Sequence, residues 1–508
     1  MSATPSSAMP TTAAPVAATP GGLRRNLSLW HAVIISVGVM SPAASIFFNT
    51  IPQAQLVGAA IPLCYVIGFV VALLVAHPYS ELSREMASSG SAYTFVTEGI
   101  GPRWGFLTGW IGLIAVALGA PYTFVLMSAN LEAVVYRWLG VDLHWSFYFV
   151  LATGIVFGLC YLGVRESLRV DLVFLTFELA VCVALALIVL LHVGGQGGLT
   201  AAPFTPAPVP ANGDLTIGIV LAVLSFIGFE TAATLGEETT NPHRNIPRAV
   251  FGAMIVVGVF YIVMAYVATV GYGPAHMVAG YGNDAAPFDT IARRFGGAPL
   301  ALLIDLVGIF SFFAAALAIV NGGSRILFAV ARDGLLPRAL AWTHPRRQTP
   351  GVAITLLCVI GLVVGISLGL AFMPINAFAF LGTLDALFII LIYILVNVAC
   401  MRFFWRKRRA QFGWIRHGIL PSLGALITTG IFVAAFISPG NAPLSYIPFV
   451  VVGWLALGLI VLFAIRKQFG AATTAATEAT AAAAVSAAVA AETPIMPSGA
   501  TPPSETMP

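Results

Sequence analysis

Two glutamates stand inside apolar stretches of the sequence, where an ionisable side chain is unexpected. Glu178 lies near the middle of LVFLTFELAVCVALALIVLL, residues 172–191, and Glu230 ends SFIGFE, residues 225–230. Within a bilayer a carboxyl group is costly unless neighbouring protein or a water-filled cavity satisfies it. Such a group can load and release a proton, bind a cation, or hydrogen-bond a neighbouring helix.

Glycine and proline interrupt two of the apolar stretches. Gly228 lies within SFIGFE, and Pro42 lies within SVGVMSPAASIFF, residues 36–48. Glycine permits a helix to unwind, and proline removes one of its backbone hydrogen bonds. An interrupted membrane helix exposes carbonyl groups of its first half and amide groups of its second half, and these can bind a charged solute. The alternative is that Gly228 only allows close helix packing, while Glu230 is protonated or paired.

The composition predicts the kind of element that must position these residues. The chain of 508 residues is 59% hydrophobic and 9% charged, with a mean hydropathy of +0.94. A soluble protein cannot cover its surface with such a composition, so an integral membrane protein is predicted. Its apolar runs reach the roughly 20 residues that a membrane-spanning helix needs, and are too long and uncharged for membrane strands. The net charge of +4 does not indicate nucleic acid as a partner.

The apolar runs predict an all-α polytopic membrane protein with twelve transmembrane helices. The predicted spans are 30–52, 57–79, 101–128, 146–163, 170–192, 215–236, 248–272, 299–330, 351–370, 376–401, 417–437 and 446–465. The two interrupted stretches fall in the first and sixth spans. Broken helices 1 and 6 are typical of a 5+5 inverted repeat, which two extra helices would follow here.

Basic residues are distributed unevenly between the two sides that these spans define. With the N-terminus inside, only Arg137, Arg293 and Arg294 of the 24 basic residues fall in external loops. Short loops that collect positive charge stay in the cytoplasm, so both termini are predicted to be cytoplasmic. A twelve-span membrane domain is expected over 24–467, between a disordered segment, 1–23, and a low-complexity tail, 468–508.

Three segments carry a family resemblance. They are GFETAATLGEETTNPHRNIPRAV, residues 228–250; SRILFAVARDGLLP, residues 324–337; and ELSREMASSGSAYTFV, residues 81–96. Together with the predicted spans, they resemble the amino acid–polyamine–organocation permease superfamily over about residues 24–467. The resemblance implies a secondary transporter of the cytoplasmic membrane that moves amino acids or related amines by alternating access. It also implies a substrate site between the breaks of spans one and six.

The resemblance assigns the substrate-binding positions. In span one, the positions that meet a substrate carboxylate in the family match Ala43, Ala44 and Ser45, with the family's glycines replaced. In span six, the segment that contacts the amine or lines the side-chain pocket matches Phe226, Ile227, Gly228 and Phe229. A zwitterionic substrate could be held by the two sets of helix ends without a buried counter-charge.

Glu178 stands where many members of the superfamily carry a lysine, so the sign of the local charge is reversed. We expect it to be the proton-coupling residue, because a carboxyl group in apolar surroundings can alternate between charged and neutral forms. It could instead bind a substrate ammonium group, ligate sodium, or make a structural hydrogen bond. Sodium is disfavoured because residues 312–323 of span eight contain no Ser or Thr, whereas sodium-coupled relatives draw hydroxyl ligands from that helix.

Charged residues follow span six at the predicted cytoplasmic face. Those expected to form ion pairs that open and close with an inward gate are Glu237, Glu238, Arg244 and Arg332. Ordinary surface pairing is the alternative. Asp305 and Asp385 lie in predicted spans eight and ten, where each could line the solute path or make structural hydrogen bonds.

Other classes of function are disfavoured. The sequence contains no HExxH or GxSxG motif and no paired Cys and His within the spans, so neither an enzyme nor a cofactor or metal site is indicated. A channel would need a repeated selectivity element along a continuous pore. The expected partners are a small amino acid or amine, a coupling proton and membrane lipids, which the basic segment 406–416 would contact. Proton symport is favoured, and an exchanger or a non-transporting nutrient sensor is the alternative.

Overall fold

The computed structural model describes residues 27–334, 336–437 and 442–464. The predicted N-terminal segment 1–23 and the predicted tail 468–508 therefore lie outside the described residues. The described residues fall into two units, which divide between Leu455 and Ala456. The described part of the second unit, 456–464, is helical.

Helices make up the regular structure of the described residues, apart from one isolated bridge between Leu27 and Thr239. They are α1 Leu29–Met40, α2 Pro42–Val57, α3 Ile61–Glu85, α4 Ala92–Gly99, α5 Pro102–Leu139, α6 Trp145–Leu162, α7 Val164–Gly195, α8 Leu215–Leu224, α9 Thr231–Thr234, α10 Pro242–Tyr272, α11 Pro287–Arg332, α12 Gly351–Phe372, α13 Pro374–Arg406, α14 Leu420–Ile437 and α15 447–464.

Ten helical stretches of the described residues are long and apolar enough to cross a membrane. One of them, Leu29–Glu85, contains the first and second predicted spans, and α8 is a shorter apolar helix. The chain is thus an all-helical, polytopic membrane protein, as the sequence predicts. The count of twelve spans and the inverted repeat stay predictions.

Several helices extend beyond the predicted spans, because polar residues at a membrane surface can continue a helix that the apolar pattern no longer marks. α3 continues to Glu85 instead of residue 79, and α5 continues to Leu139 instead of residue 128. α10 begins at Pro242 instead of residue 248, since proline is well suited to the first position of a helix. The eight-residue helix α4 was not predicted.

The segment before predicted span eight is also helical, where the sequence pattern predicts an external loop. α11 begins at Pro287 and contains a kink at Gly297, whose φ is +69°. This first part contains charged residues, so it does not form an apolar run from which a membrane helix can be predicted.

Both predicted interruptions are present. Ser41 separates α1 from α2 in a left-handed conformation (φ 39°, ψ 71°). Pro42 causes this break, because proline disfavours a helical conformation in the residue before it. Gly228 lies between α8 and α9 with φ +121°, which side chains other than glycine rarely adopt.

Tyr261 of α10 connects the two breaks. Its buried hydroxyl group lies 2.9 Å from the carbonyl oxygen of Met40 and 2.8 Å from that of Ser225. These carbonyl groups stand at the ends of α1 and α8, where intrahelical partners are missing. One hydroxyl group therefore contacts the chain at both breaks, and this shared contact holds the end of α1 close to the end of α8.

Candidate functional site

Two adjoining cavities lie between the breaks. The larger, of about 170 Å³, is lined by Ser41 beside the first break and by Ser225 beside the second. The smaller, of about 110 Å³, extends along Tyr79, Glu230 and Tyr393. Five residues line both cavities: Val39, Tyr122, Ile227, Ile319 and Asp385. Each volume is well above the roughly 10–15 Å³ that one water molecule requires, so a small solute or several waters can occupy this space.

The structure brings three of the predicted substrate-binding residues to the larger cavity, namely Ala44, Ser45 and Ile227. Phe226 and Phe229 do not line either cavity. Each is 1% exposed and packs among aromatic rings, Phe226 against Tyr261 and Phe229 against Tyr79. Their side chains support the shape of the break.

Gly228 sets the distance between the two interrupted elements. A Cβ atom added to it would lie 2.5 Å from Cγ1 of Val39 and 3.0 Å from the backbone nitrogen of Met40. The last turn of α1 therefore packs directly on the backbone at Gly228. A residue with a side chain would be strained by its φ and would push α1 away.

The N-terminus of α2 is occupied by groups of the protein itself. The Ala43 amide donates to Oε1 of Glu178 at 2.5 Å, and the Ala44 amide donates to the Ser311 hydroxyl at 3.1 Å. Ser311 also lies 3.1 Å from Glu178 Oε1, to which it donates. Because the partial positive charge of a helix N-terminus attracts anions, a carboxylate of α7 is well placed here.

Ser311 modifies the argument against sodium. It directly precedes the stretch 312–323, which has no hydroxyl side chain, and it places one hydroxyl group of α11 beside Glu178. Glu178 is fully buried, and its Oε2 has no hydrogen-bond partner. In the predicted coupling residue, one carboxyl oxygen therefore accepts hydrogen bonds and the other accepts none.

Glu230 belongs to the second break. Its Oε2 accepts hydrogen bonds from the Gly228 amide at 3.0 Å and from the Tyr393 hydroxyl at 2.7 Å. Ser36 of α1 spans the same region, donating to the Phe229 carbonyl at 2.7 Å and accepting from the Ala232 amide at 2.8 Å. The irregular backbone between α8 and α9 is therefore stabilised by side chains from α1 and α13.

Asp385 of α13 is a site residue that the sequence argument left aside. It is 7% exposed, lines both cavities, and its Oδ1 has no hydrogen-bond partner. It shares the smaller cavity with Glu230. The sequence signal was an aspartate inside an apolar run, but nothing in the sequence showed that it shares a cavity with Glu230.

Asp171 was missed altogether because it stands at the beginning of predicted span five. It is fully buried on α7, and neither carboxyl oxygen has a hydrogen-bond partner. A Cβ atom added to Gly38 of α1 would lie 2.8 Å from its Oδ2. Asp171 therefore packs against the last turns of α1, near the first break.

Two of the predicted gate residues form a close ion pair. Arg332 donates from Nη1 to Oε2 of Glu237 at 2.7 Å and from Nη2 to Oε1 at 2.9 Å. The Ser89 amide adds a hydrogen bond to Glu237 Oε1 at 3.1 Å. Burial alone raises the pKa of the Glu237 carboxyl, but the hydrogen bonds from Arg332 and Ser89 outweigh it and hold this pKa below its usual value.

The structure assigns Glu238 a different partner from the expected cluster. Its carboxylate forms a buried salt bridge with Arg325 of α11, and these side chains are 4% and 1% exposed. Arg325 also donates from Nη1 to the Asn321 carbonyl at 2.5 Å. Arg244 is exposed and, within the part of the chain that is described, forms no salt bridge with these residues. Arg325 is not among the four predicted gate residues.

Asp305 makes structural contacts at the far end of α11. Arg137 donates to its two carboxyl oxygens at 3.1 and 3.0 Å, and the indole nitrogen of Trp138 donates to Oδ2 at 2.8 Å. Asp305 does not line the two cavities between the breaks. Its charge is matched within the fold.

An all-helical membrane chain with a solute-sized cavity at two helix breaks has the features of a membrane carrier. A model of the amino acid permease family matches residues 27–482. The chain belongs to this family, within the amino acid–polyamine–organocation superfamily, and is a transporter and not an enzyme.

Relatives match the chain over most of its length. It is 24% identical to the branched-chain amino acid permease BcaP of Bacillus subtilis, over 89% of the chain and 96% of the relative. It is 26% identical to the low-affinity putrescine importer PlaP of Escherichia coli K12, over 88% of the chain and 95% of the relative. An uncharacterised transporter of Mycobacterium tuberculosis is 30% identical over 65% of the chain and 71% of its own length.

Proposed function

We propose that the chain is a secondary active transporter of the cytoplasmic membrane that moves amino acids or related amines by alternating access. The observation that supports this most directly is the cavity between the breaks at Ser41 and Gly228. Its relatives include an importer named for putrescine and a permease named for branched-chain amino acids. In this proposal, twelve spans with a 5+5 inverted repeat place both termini in the cytoplasm.

Glu178 is the proposed proton carrier. Its contacts with the Ala43 amide and the Ser311 hydroxyl stabilise a negative charge, and they join α7 to α2 and α11. A movement of α2 during alternating access would withdraw the Ala43 amide. The carboxylate would then be buried with one donor fewer, and protonation would remove the cost of its charge. Proton binding and the position of the broken helix are coupled in this way.

Of the four predicted gate residues, Glu237, Glu238, Arg244 and Arg332, only Glu237 and Arg332 form the gate contact in this proposal. Glu238, which follows Glu237 in the chain, is paired with Arg325. The Glu237–Arg332 pair is partly exposed, with side chains 22% and 45% exposed, and it can separate at a smaller cost than the buried pair. The buried pair is suited to hold the loop after α9 in place. We propose that only the Glu237–Arg332 contact opens during the transport cycle.

Exchange of a labelled solute for an unlabelled one across the membrane of proteoliposomes tests whether the protein transports at all. Purified protein is reconstituted, the vesicles are loaded with an unlabelled amino acid or amine, and entry of the same labelled solute is followed. Transport predicts entry that depends on the internal solute or on an imposed gradient. Binding of a solute without its entry under any condition would instead identify a nutrient sensor.

A further inference from the structure

The helix end that would bind a substrate carboxylate has no free amide. Pro42 lacks an N–H group, the Ala43 amide is bound to Glu178, and the Ala44 amide is bound to Ser311. The next amide, that of Ser45, donates to the Ser41 carbonyl at 2.9 Å within the first turn of α2. A second carboxylate would also meet the negative charge of Glu178. This end of α2 is therefore poorly suited to the carboxylate of an amino acid.

The cavities instead present carboxyl groups to a ligand. Asp385 lines both, and Glu230 lines the smaller one. Asp385 is more than nine-tenths buried with an unpartnered Oδ1, so its hydrogen-bonding capacity is unmet by the protein. None of the described residues that line the two cavities is Lys, Arg or His. An ammonium group from outside the protein would supply the hydrogen-bond donor that Asp385 Oδ1 lacks, and it could also contact Glu230 in the smaller cavity.

The remaining surface of the smaller cavity is largely apolar or aromatic. Its lining residues include Val39, Ile227, Ile319 and Ile389, together with the ring of Tyr122. Such a surface accommodates methylene groups, while tyrosine rings can also stabilise an ammonium group through their faces. An alkylamine combines the two properties.

We propose that the preferred substrate is a small alkylamine or diamine without a carboxylate, whose ammonium group binds Asp385 and Glu230. The inference rests on the proposed transport function and specifies the ligand class of its site. Glu178 then excludes carboxylate-bearing analogues by occupying the amides of α2. Glu230 at the second break thus helps to bind the ammonium group of the ligand, whereas Glu178 beside the first break prevents the binding of a carboxylate group.

Pairs of ligands that differ only in the carboxylate test this proposal. Tritiated putrescine is bound to the purified full-length protein and displaced by unlabelled putrescine or ornithine, and by isopentylamine or leucine. We expect each amine to displace the label at a concentration about tenfold or more below that of its amino acid. Equal or stronger displacement by the amino acids, or absence of putrescine binding, would overturn the proposal.

Substitutions of the acidic residues that line the cavities test whether putrescine binds there. Asp385→Asn should weaken putrescine binding about ten- to hundredfold, because it removes a charged hydrogen-bond acceptor. Asp142→Asn removes the same charge from an exposed loop and should bind like the wild type. If Asp385→Asn does not fold, Glu230→Gln replaces it. A folded variant at either position with wild-type affinity would contradict the proposal.

Uptake into proteoliposomes separates this inference from the proposed function. Uptake of leucine without uptake of putrescine would overturn the amine preference and leave a transporter. Binding of putrescine with no uptake of any solute would uphold the ligand class and overturn transport.

Discussion

The carboxylate of Glu178 accepts a hydrogen bond of 2.5 Å from the backbone amide of Ala43, the first N–H group of α2 after the break at Ser41. This contact joins a buried charge of α7 to the end of a broken helix. The contact stabilises a carboxylate that would otherwise be costly inside a membrane. The free energy of the charged form of Glu178 therefore depends on the position of α2.

Glu178→Gln should uncouple transport from the proton gradient. Glutamine keeps an oxygen that can accept from Ala43 but cannot carry a titratable proton. We expect substrate affinity to change less than about tenfold, while uptake no longer responds to an inward proton gradient. The measurement is initial uptake rate with and without that gradient. Wild-type pH dependence in the variant would remove Glu178 from the coupling role.

Gly228→Leu should abolish substrate binding in a protein that still inserts. The added side chain would be strained at φ +121° and would displace Val39 from the second break. Gly430→Leu is the matched control, because Gly430 is exposed on α14 and an added Cβ would meet no other part of the protein within 4 Å beyond its own helical turn. Ligand binding to the two purified variants makes the comparison. Normal binding by Gly228→Leu would show that the break does not shape the site.

Arg332→Gln should make the cavity more accessible from the cytoplasmic side. It breaks the Glu237 pair while leaving Glu238 and Arg325 in contact. A cysteine introduced by Thr231→Cys, at a residue that lines the smaller cavity, reports access to a membrane-impermeant maleimide. The five native cysteines are buried, which lowers the background. Unchanged labelling would show that this pair is ordinary surface pairing.

Acid should open the same contact at a pH set by Glu237. Its pKa lies below its ordinary value of 4.5, so the stabilisation by the pair is complete above about pH 4.5 and is lost as the pH falls through the lowered pKa. Maleimide reacts with the thiolate, so each labelling rate is divided by that of a free thiol at the same pH. This ratio for Thr231→Cys should therefore stay constant from neutral pH down to about 4.5 and rise below it. The Glu237→Gln variant should lack this rise. A rise near pH 6 that depends on Glu237 would contradict the assignment.

Arg325→Gln should destabilise the fold far more than Arg332→Gln. Removing one partner of a buried ion pair costs about 3–5 kcal/mol because the other charge stays buried, whereas an exposed pair contributes about 1 kcal/mol or less. Arg325 is 1% exposed and Arg332 is 45% exposed, and both lie near the end of α11. Thermal unfolding of the two variants in one detergent compares them. Equal shifts of the midpoint would contradict a structural role for the buried pair.

The sequence predicted the features that depend on local chemistry. Pro42 and Gly228 locate the two breaks because their backbone preferences act on their immediate neighbours. The sequence did not predict that Asp385 and Glu230 share a cavity, or that Glu238 pairs with Arg325 and not with Arg244. These relationships arise from the packing of helices that are distant in the chain, and an apolar pattern carries no information about them.

Proton-driven uptake tests the central claim most directly. Proteoliposomes that contain the wild-type protein and no internal substrate are given labelled putrescine or leucine outside, with an inward proton gradient, an inward sodium gradient or no gradient. We predict accumulation of solute above its external concentration under the proton gradient alone. Accumulation only under the sodium gradient, or none without internal solute to exchange, would contradict proton symport.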